Sequence, residues 1–480
     1  MSTSSQETSE PLLVGSLVKH AEHGEGQVTQ LVRGGRAVLV RFARMGKLDL
    51  QVSASELLPT TKPKPKPKEK AVAQAVKPGP LKIDAAQILE ALRLGTVPSS
   101  GLDLYTVGRE AELSIIEADL DAVSSGKGAG RVILGDYGTG KTHLLECIAA
   151  TARKKGFLVG HAALDPVDVP ASNPRRVYRA LMRELCHAAD PSLERGVWPL
   201  LRRARGNDEV KRRFLTDERH AYLTPVLSLV NRLDELELPP IIDWLEGSPQ
   251  DYTPELNARF RLYGQRALPA MMDYRPWAHI YSYILSGVSA LAAATGSKGL
   301  VLLLDEAEFF RVLSSENREF AERLFRSLMA AALPANELPF SPEDEPRGGR
   351  GEFKTLSHRY VGHCPLYVVM AMTPTGQGDR LVQGLVPPSR VTELSPLNAV
   401  HHRELARRIV TVYAESDPNL SPLRDSLSTL IGDLMFKGLT DGTFQTPRTA
   451  VKFVLDLLDL ARHRPDAVRT VMDELKRLWY

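Results

Sequence analysis

Gly135-Asp136-Tyr137-Gly138-Thr139-Gly140-Lys141-Thr142 fits the pattern G-x-x-x-x-G-K-[ST] at every fixed position. Residues of these types can grip a polyphosphate. Glycines let backbone N–H groups curl around phosphate oxygens, a lysine reaches the β- and γ-phosphates, and a threonine hydroxyl holds Mg²⁺. A second set follows downstream, where Leu300-Val301-Leu302-Leu303-Leu304 runs into Asp305-Glu306. Asp305 is expected to orient Mg²⁺ through water and Glu306 to activate the attacking water; both tasks need a carboxylate held rigidly beside the phosphates. Glu308 is the weaker candidate for the base, because the turn should carry it away. The chemistry these residues predict is hydrolysis of a nucleoside triphosphate at its γ-phosphate, with Mg²⁺ as cofactor.

Such groups work only if strands and a helix N-terminus hold them. Val132-Ile133-Leu134 predicts a strand into the glycine loop, and Leu144, Leu145, Ile148 and Ala152 share one face of a helix leaving it. Arg153-Lys154-Lys155-Gly156 suits that helix's end, since cations and a glycine complement its exposed carbonyls. Phe157 to Leu164, Gly299 to Glu306 and Leu366 to Met372 predict further buried strands, the last delivering Thr373-Pro374-Thr375 to its end. Between about 174 and 297 the sequence predicts an inserted helical subdomain. The prolines and glycines of 338–355 predict a mobile surface loop. From His401 to Tyr480 the chain predicts helices, one of them starting near Pro447 with Leu455, Leu458 and Leu460 on later turns.

The first 80 residues have a different texture. Alternating apolar residues from Val14 to Leu58, with a Gly34-Gly35 turn signal, predict a small, strongly bent β-barrel over 12–59. Thr61-Lys62-Pro63-Lys64-Pro65-Lys66-Pro67-Lys68-Glu69-Lys70 begins a Lys/Pro-rich spacer over 60–80, whose alternating prolines forbid a helix and whose lysines could touch DNA phosphates. A solvated linker is the alternative. Across 480 residues, 61 basic against 58 acidic side chains leave a net charge of +3, so any nucleic-acid surface must be local. The three cysteines form no C-x-x-C pair, which argues against a zinc site or disulfide framework and for a reducing, cytoplasmic setting. Neither a signal peptide nor a membrane-spanning run is evident.

Three resemblances add to this reading. Val18-x-His20-x-x-x-Gly24-x-Gly26-x-Val28 with Val38-x-Val40-x-Phe42 resembles the Tudor-like or SH3-like barrels of the CarD family, which implies a protein or nucleic-acid partner. Val107-Gly108-Arg109-Glu110 ahead of the glycine loop resembles the start of an AAA+ ATPase module, where this segment contacts adenine. The AAA+ likeness implies hydrolysis of ATP to ADP and phosphate, with ATP and Mg²⁺ as cofactors, an α/β core over 81–395 and a helical lid over 396–480. It also implies that Thr373 is a sensor for the lytic water, Arg390 a finger reaching a neighbouring subunit's nucleotide, and Arg448 the second sensor. A β-branched strand end is the alternative for Thr373, and Arg380 and Arg359 are rivals for the finger. Finally, Ala91-Leu92-Arg93-Leu94-Gly95-Thr96-Val97-Pro98, taken with V-G-R-E and G-D-Y-G-T-G-K-T, resembles the ATP-binding proteins of bacteriophage exclusion (BREX) and related defence islands. That implies an ATP-driven, DNA-associated defence assembly, self-associating in ATP and acting with a helicase or nuclease partner. A slow nucleotide-gated scaffold and a regulator gripping RNA polymerase through the barrel are the alternatives.

Overall fold

The chain is described by a computed structural model at residues 17–20, 24–32, 37–42, 49–53, 57–59, 85–98, 100–187, 194–248, 253–260, 267–349, 351–361, 364–374, 376–417, 420, 423–440, 442, 446–464, 470, 474 and 477. The N-terminal tail, the Gly34-Gly35 turn, the Lys/Pro spacer and Thr375 lie outside the described residues. The chain divides into two compact units, Met1–Leu81 and Lys82–Tyr480.

In the first unit, β1 (Leu17–His20), β2 (Gly24–Val32), β3 (Ala37–Phe42), β4 (Asp49–Ser53) and β5 (Leu57–Pro59) form an antiparallel sheet in the order β4-β3-β2-β1-β5. Val28 pairs with Val40, both buried beside Val18, while Lys19 points to solvent, as the two-residue period of a half-buried strand requires. The register of β2 against β3 slips between Val28 and Gln30, which marks a bulge. The last strand, β5, was not predicted; three residues ending in proline are too short to show alternation.

The second unit is built on a six-stranded sheet: β6 (Ala129–Leu134), β7 (Leu158–Ala163), β8 (Cys186–His187), β9 (Leu300–Asp305), β10 (Leu366–Met372) and β11 (Val391–Glu393) in the order β11-β6-β10-β9-β7-β8. All neighbours run parallel except β7 and β8. Both faces are covered, which is why the central strands read as unbroken apolar runs. Successive side chains still separate. Val132, Leu302, Leu304, Val368 and Met370 join one apolar cluster, while Ile133, Val301, Leu303, Tyr367 and Val369 join the other. Against the second face pack α2 (Glu110–Ser124) and α3 (Lys141–Lys154), after α1 (Ala85–Arg93) has gone to join the C-terminal helices.

The first face takes α4 (Pro174–Arg183), then the short helices α5 (Trp198–Ala204), α6 (Asp208–Val210), α7 (Leu223–Val230), α8 (Pro239–Leu245) and α9 (Thr253–Phe260), and finally the long α10 (Ala278–Ala294) and α11 (Ser315–Ala332). Helices thus recur through the described part of 174–297, interrupted by β8 and by the irregular stretch 267–274, and Phe214, Tyr222 and Trp244 share one cluster with the sheet residues Leu302 and Val368. Within the segment predicted to be a loop, Glu345 accepts a hydrogen bond of 2.8 Å from Arg326 on α11, and the Pro342 carbonyl meets His358 at 3.0 Å. After α12 (Gly376–Gln383), the helices α13 (Ala399–Ser416), α14 (Arg424–Thr440) and α15 (Pro447–His463) pack with α1 around Ile88, Leu89, Ile409, Ile431 and Leu458. No helix among the described residues is long and apolar enough to cross a membrane.

Candidate functional site

The strand order places three carboxyl ends side by side. β10 lies between β6 and β9, with Met372 opposite Leu134 and Met370 opposite Leu304, so the loop at Gly135, Thr373 and the Asp305-Glu306 pair emerge together. The loop is tied to this edge by Gly135 N–H donating to the Met372 carbonyl over 3.2 Å. Gly138 and Gly140 adopt φ of 83° and 98°, which a side chain would resist. A Cβ on Gly138 would come within 2.9 Å of Thr446 at the start of α15, so the loop and the C-terminal helices touch closely here. α3 then begins on Gly140 with no side-chain cap, which leaves its first N–H groups for an anion.

Lys141 is buried, and its ammonium donates to the carbonyls of Gly135 at 3.0 Å and Asp136 at 3.4 Å and to Thr373 Oγ1 at 3.0 Å. Thr142 Oγ1 donates to Asp305 Oδ2 over 2.7 Å, while Asp305 Oδ1 accepts the Glu306 N–H at 2.9 Å. Both carboxylate oxygens of Asp305 are thereby fixed. Glu306 is the described non-glycine residue with a left-handed backbone, φ 57°, a conformation that turns its side chain into the cleft. Its carboxyl is pushed above the ordinary range by burial first, then by the like charges of Glu308 and Asp305, with Lys141 and Arg448 pulling the other way. The turn after β9 does not carry Glu308 away: its Oε1 stands 3.9 Å from Lys141 Nζ and accepts a hydrogen bond from Thr373 Oγ1.

The rest of the cleft is apolar, walled by Leu92, Val97, Val107, Leu397, Leu405 and Val451 from α1, α13, α15 and the intervening segments. Val107 faces it. Gly108, at φ 63°, backs instead onto His401, where a Cβ would meet the imidazole at 2.7 Å. Arg448 reaches the rim: it donates to Tyr137 Oη over 3.0 Å and to the Gly95 carbonyl over 3.3 Å, with its guanidinium 5.9 Å from the Tyr137 ring. Two further contributors are Arg109, named in the sequence only as part of V-G-R-E and without a role of its own, and His143, which the sequence reading missed. Arg109 is buried and donates to the carbonyls of Thr139 at 2.8 Å and Ser395 at 2.9 Å, so it braces the loop. His143 lines the cleft against Thr106; because the Thr106 hydroxyl already donates to the Leu102 carbonyl at 2.6 Å, the contact of 2.9 Å needs His143 Nε2–H as donor. Burial and the Arg109 charge push this imidazole down to about 4, keeping it neutral. The V-G-R-E motif did signal Arg109; nothing in the sequence singled out His143.

The finger candidates divide clearly. Arg390 donates to Asp119 at 3.0 Å and Glu337 at 2.7 Å, and Asp119 also accepts from Arg131 at 2.7 Å and Tyr367 at 2.8 Å. Arg359 is spent on the carbonyls of Ala330, Ala331 and Leu333. Arg380, on α12, is exposed and makes no side-chain bond among the described residues.

A cradle of glycine backbone, an uncapped helix start, an ammonium resting on carbonyls and a hydroxyl paired with a carboxylate suits a magnesium-bound polyphosphate, and the apolar end suits a flat base. Residues 82–194 match the family described as BREX system ATP-binding protein BrxC/D. No curated protein matches the chain. Among solved structures, the chain is similar at 12% identity to a chain of Drosophila ORC bound to DNA, with a TM-score of 0.27 over 82% of this chain and 70% of that one. It is similar, also at 12% identity, to a DNA replication initiation factor, with a TM-score of 0.26 over 79% of this chain and 92% of the other. Both likenesses are too slight to bear on the fold. The family-matched segment contains the whole phosphate loop, whereas Asp305, Glu306, Thr373 and Arg448 lie beyond it.

Proposed function

We propose that the chain binds MgATP and hydrolyses it as an AAA+-type ATPase of a DNA-associated phage-defence assembly. The observation that carries the chemistry is the Thr142–Asp305 hydrogen bond of 2.7 Å beside a buried Lys141, which joins the two motifs at one point. The family match over 82–194 supports the defence setting. When bound, MgATP supplies the phosphoanhydride and a cation that neutralises its charge. Lys141 would leave its carbonyl partners for the β- and γ-phosphates, and the loop N–H groups from Gly135 to Gly140 would cradle them. Thr142 and Asp305 would hold Mg²⁺. Glu306, whose carboxyl is already pushed up by burial and its acidic neighbours, would take the proton of the attacking water. Arg448 would turn from Tyr137 toward the phosphates, and Val107 would pack on the base.

In the same proposal the N-terminal sheet closes as an SH3- or Tudor-like barrel that, with the lysine spacer, meets DNA or a DNA-bound partner. Self-association in ATP and a helicase or nuclease partner complete it. Nucleotide titration and steady-state phosphate release test the core claim. Lys141→Ala should abolish MgATP binding, whereas Glu306→Gln should keep binding and lose turnover by 100-fold or so, on the order expected for a missing general base. Equal loss of affinity in both variants would refute the assignment of the acidic pair.

A further inference from the structure

Glu308 sits inside the site, its side chain 13% exposed against 7% for the neighbouring Lys141. Its Oε1 accepts from Thr373, and its Oε2 is buried with no partner among the described residues. A buried carboxylate oxygen left this way is costly and calls for a reason. The hydrogen-bond logic supplies one. An ammonium can only donate, a carboxylate can only accept, and a hydroxyl has a single proton. Lys141 donates to Thr373 Oγ1 over 3.0 Å, so the Thr373 proton points at Glu308 and its lone pairs face Lys141.

We propose that Glu308 is a positioning residue that fixes the Thr373 hydroxyl as an acceptor-only group at the end of β10. The inference rests on the ATPase reading. Once Lys141 has turned to the phosphates, the Thr373 lone pairs are open to an O–H of the attacking water, whose own lone pair is then directed away from Thr373. A threonine without Glu308 could spend its proton on a phosphate oxygen instead and hold the water in no fixed sense. Glu306 makes no side-chain hydrogen bond among the described residues and lines the cleft, so the two glutamates divide the work: Glu306 takes the proton, Glu308 sets the orientation. Glu308 is also a counter-charge of Lys141, at 3.9 Å, and would compete with phosphate for that ammonium.

The test is a cycle of Glu308→Gln, Thr373→Val and the double variant in the full chain, with Thr373→Ser alongside. Three quantities are read: kcat with MgATP, equilibrium affinity for the β,γ-imido analogue of MgATP, and the thermal midpoint without nucleotide. Glu308→Gln should lower kcat at least tenfold while analogue affinity holds or rises a few-fold, because Lys141 has lost its competitor. Thr373→Ser should keep most of kcat. The double variant should turn over no more slowly than Thr373→Val alone, and the two substitutions should be similarly non-additive in the thermal midpoint. Independent, multiplying losses in kcat, or wild-type turnover in Glu308→Gln, would overturn the proposal while leaving the ATPase reading intact. A wild-type chain that neither binds the analogue nor releases phosphate would overturn both. Should Glu308→Gln fail to fold, equal kcat in Thr373→Ser and Thr373→Val would still overturn it.

Discussion

Arg390 illustrates how one residue can suit two incompatible jobs. An arginine finger must be free to leave its own subunit, whereas this guanidinium holds Asp119 and Glu337 together across α2, the segment before β11 and the turn at 335–337. Its side chain is 23% exposed, and Asp119 keeps Arg131 and Tyr367 when Arg390 is removed. Arg390→Ala should therefore cost stability, on the order of 1–2 kcal/mol for a part-buried pair whose acid retains other donors. Differential scanning calorimetry without nucleotide measures this directly. Mixing Arg390→Ala with Glu306→Gln protein then tests the finger: recovered turnover at shared interfaces supports action in trans, and its absence transfers the role to the exposed Arg380 or to none. The contrast with Lys141, Thr142 and Asp305 explains what the sequence could reveal about single residues. Those three belong to motifs in which neighbours along the chain are also neighbours in space. Arg390, Glu308 and His143 take their meaning from partners hundreds or tens of residues away, which no local pattern announces.

Among the elements, the strands β6, β7, β9 and β10 were legible because both faces of the sheet are buried there and the apolar runs are long, whereas the two-residue β8 was not, and α3 was legible because its apolar face and basic end coincide. Helical periodicity between 174 and 297 does not say which surface an apolar face meets; Phe214 and Trp244 prove to share the sheet's own core. The meeting of the phosphate loop with α15 was equally hidden. α15 starts on Thr446, whose side chain accepts the Thr449 N–H, with Pro447 in its first turn, and this start lies against Gly138. Gly138→Ala would force a methyl to 2.9 Å from the Thr446 side chain and hold alanine at φ 83°. The backbone strain alone is worth about 1–2 kcal/mol. The expected outcome is a folded protein whose MgATP affinity falls at least tenfold by calorimetry. Adding Thr446→Gly, which removes the clash and loses only a few tenths of a kcal/mol of capping, should restore part of that affinity. No restoration would mean that the loop's own conformation, rather than its contact with α15, sets the loss.

At the scale of the whole molecule, buried imidazoles make the fold acid-sensitive. His143 and His358 are pushed down to about 4 and His220 to about 3 from an ordinary 6.5, burial being the main cause in each. His220 shows why: its Nδ1 accepts the N–H groups of Tyr222 and Leu223, both at 3.0 Å, a role a protonated ring cannot fill. The unfolded chain thus binds more protons between pH 6.5 and 4, so stability falls as the pH falls through that window, by up to about 1.4 kcal/mol per pH unit for each ring. Glu306 and Glu246, raised by burial, work in the opposite sense but are fewer and only partly buried. Thermal midpoints at pH 7, 6 and 5 should fall in that order, and His220→Asn should flatten the trend by one ring's share. The division into Met1–Leu81 and Lys82–Tyr480 carries the last expectation. Every residue assigned to the nucleotide lies in the second unit, so deleting residues 1–80 should leave basal phosphate release close to wild type. DNA binding, measured by duplex titration across a salt series, should weaken. Replacing the five linker lysines, at 62, 64, 66, 68 and 70, with glutamine separates charge from barrel. If each neutralises one phosphate, the slope of log affinity against log salt should drop by up to about 4.5, at roughly 0.9 per contact. A slope that does not move would make the spacer a tether alone, and a truncated chain that binds DNA as tightly as the whole would make the N-terminal sheet a docking site for protein.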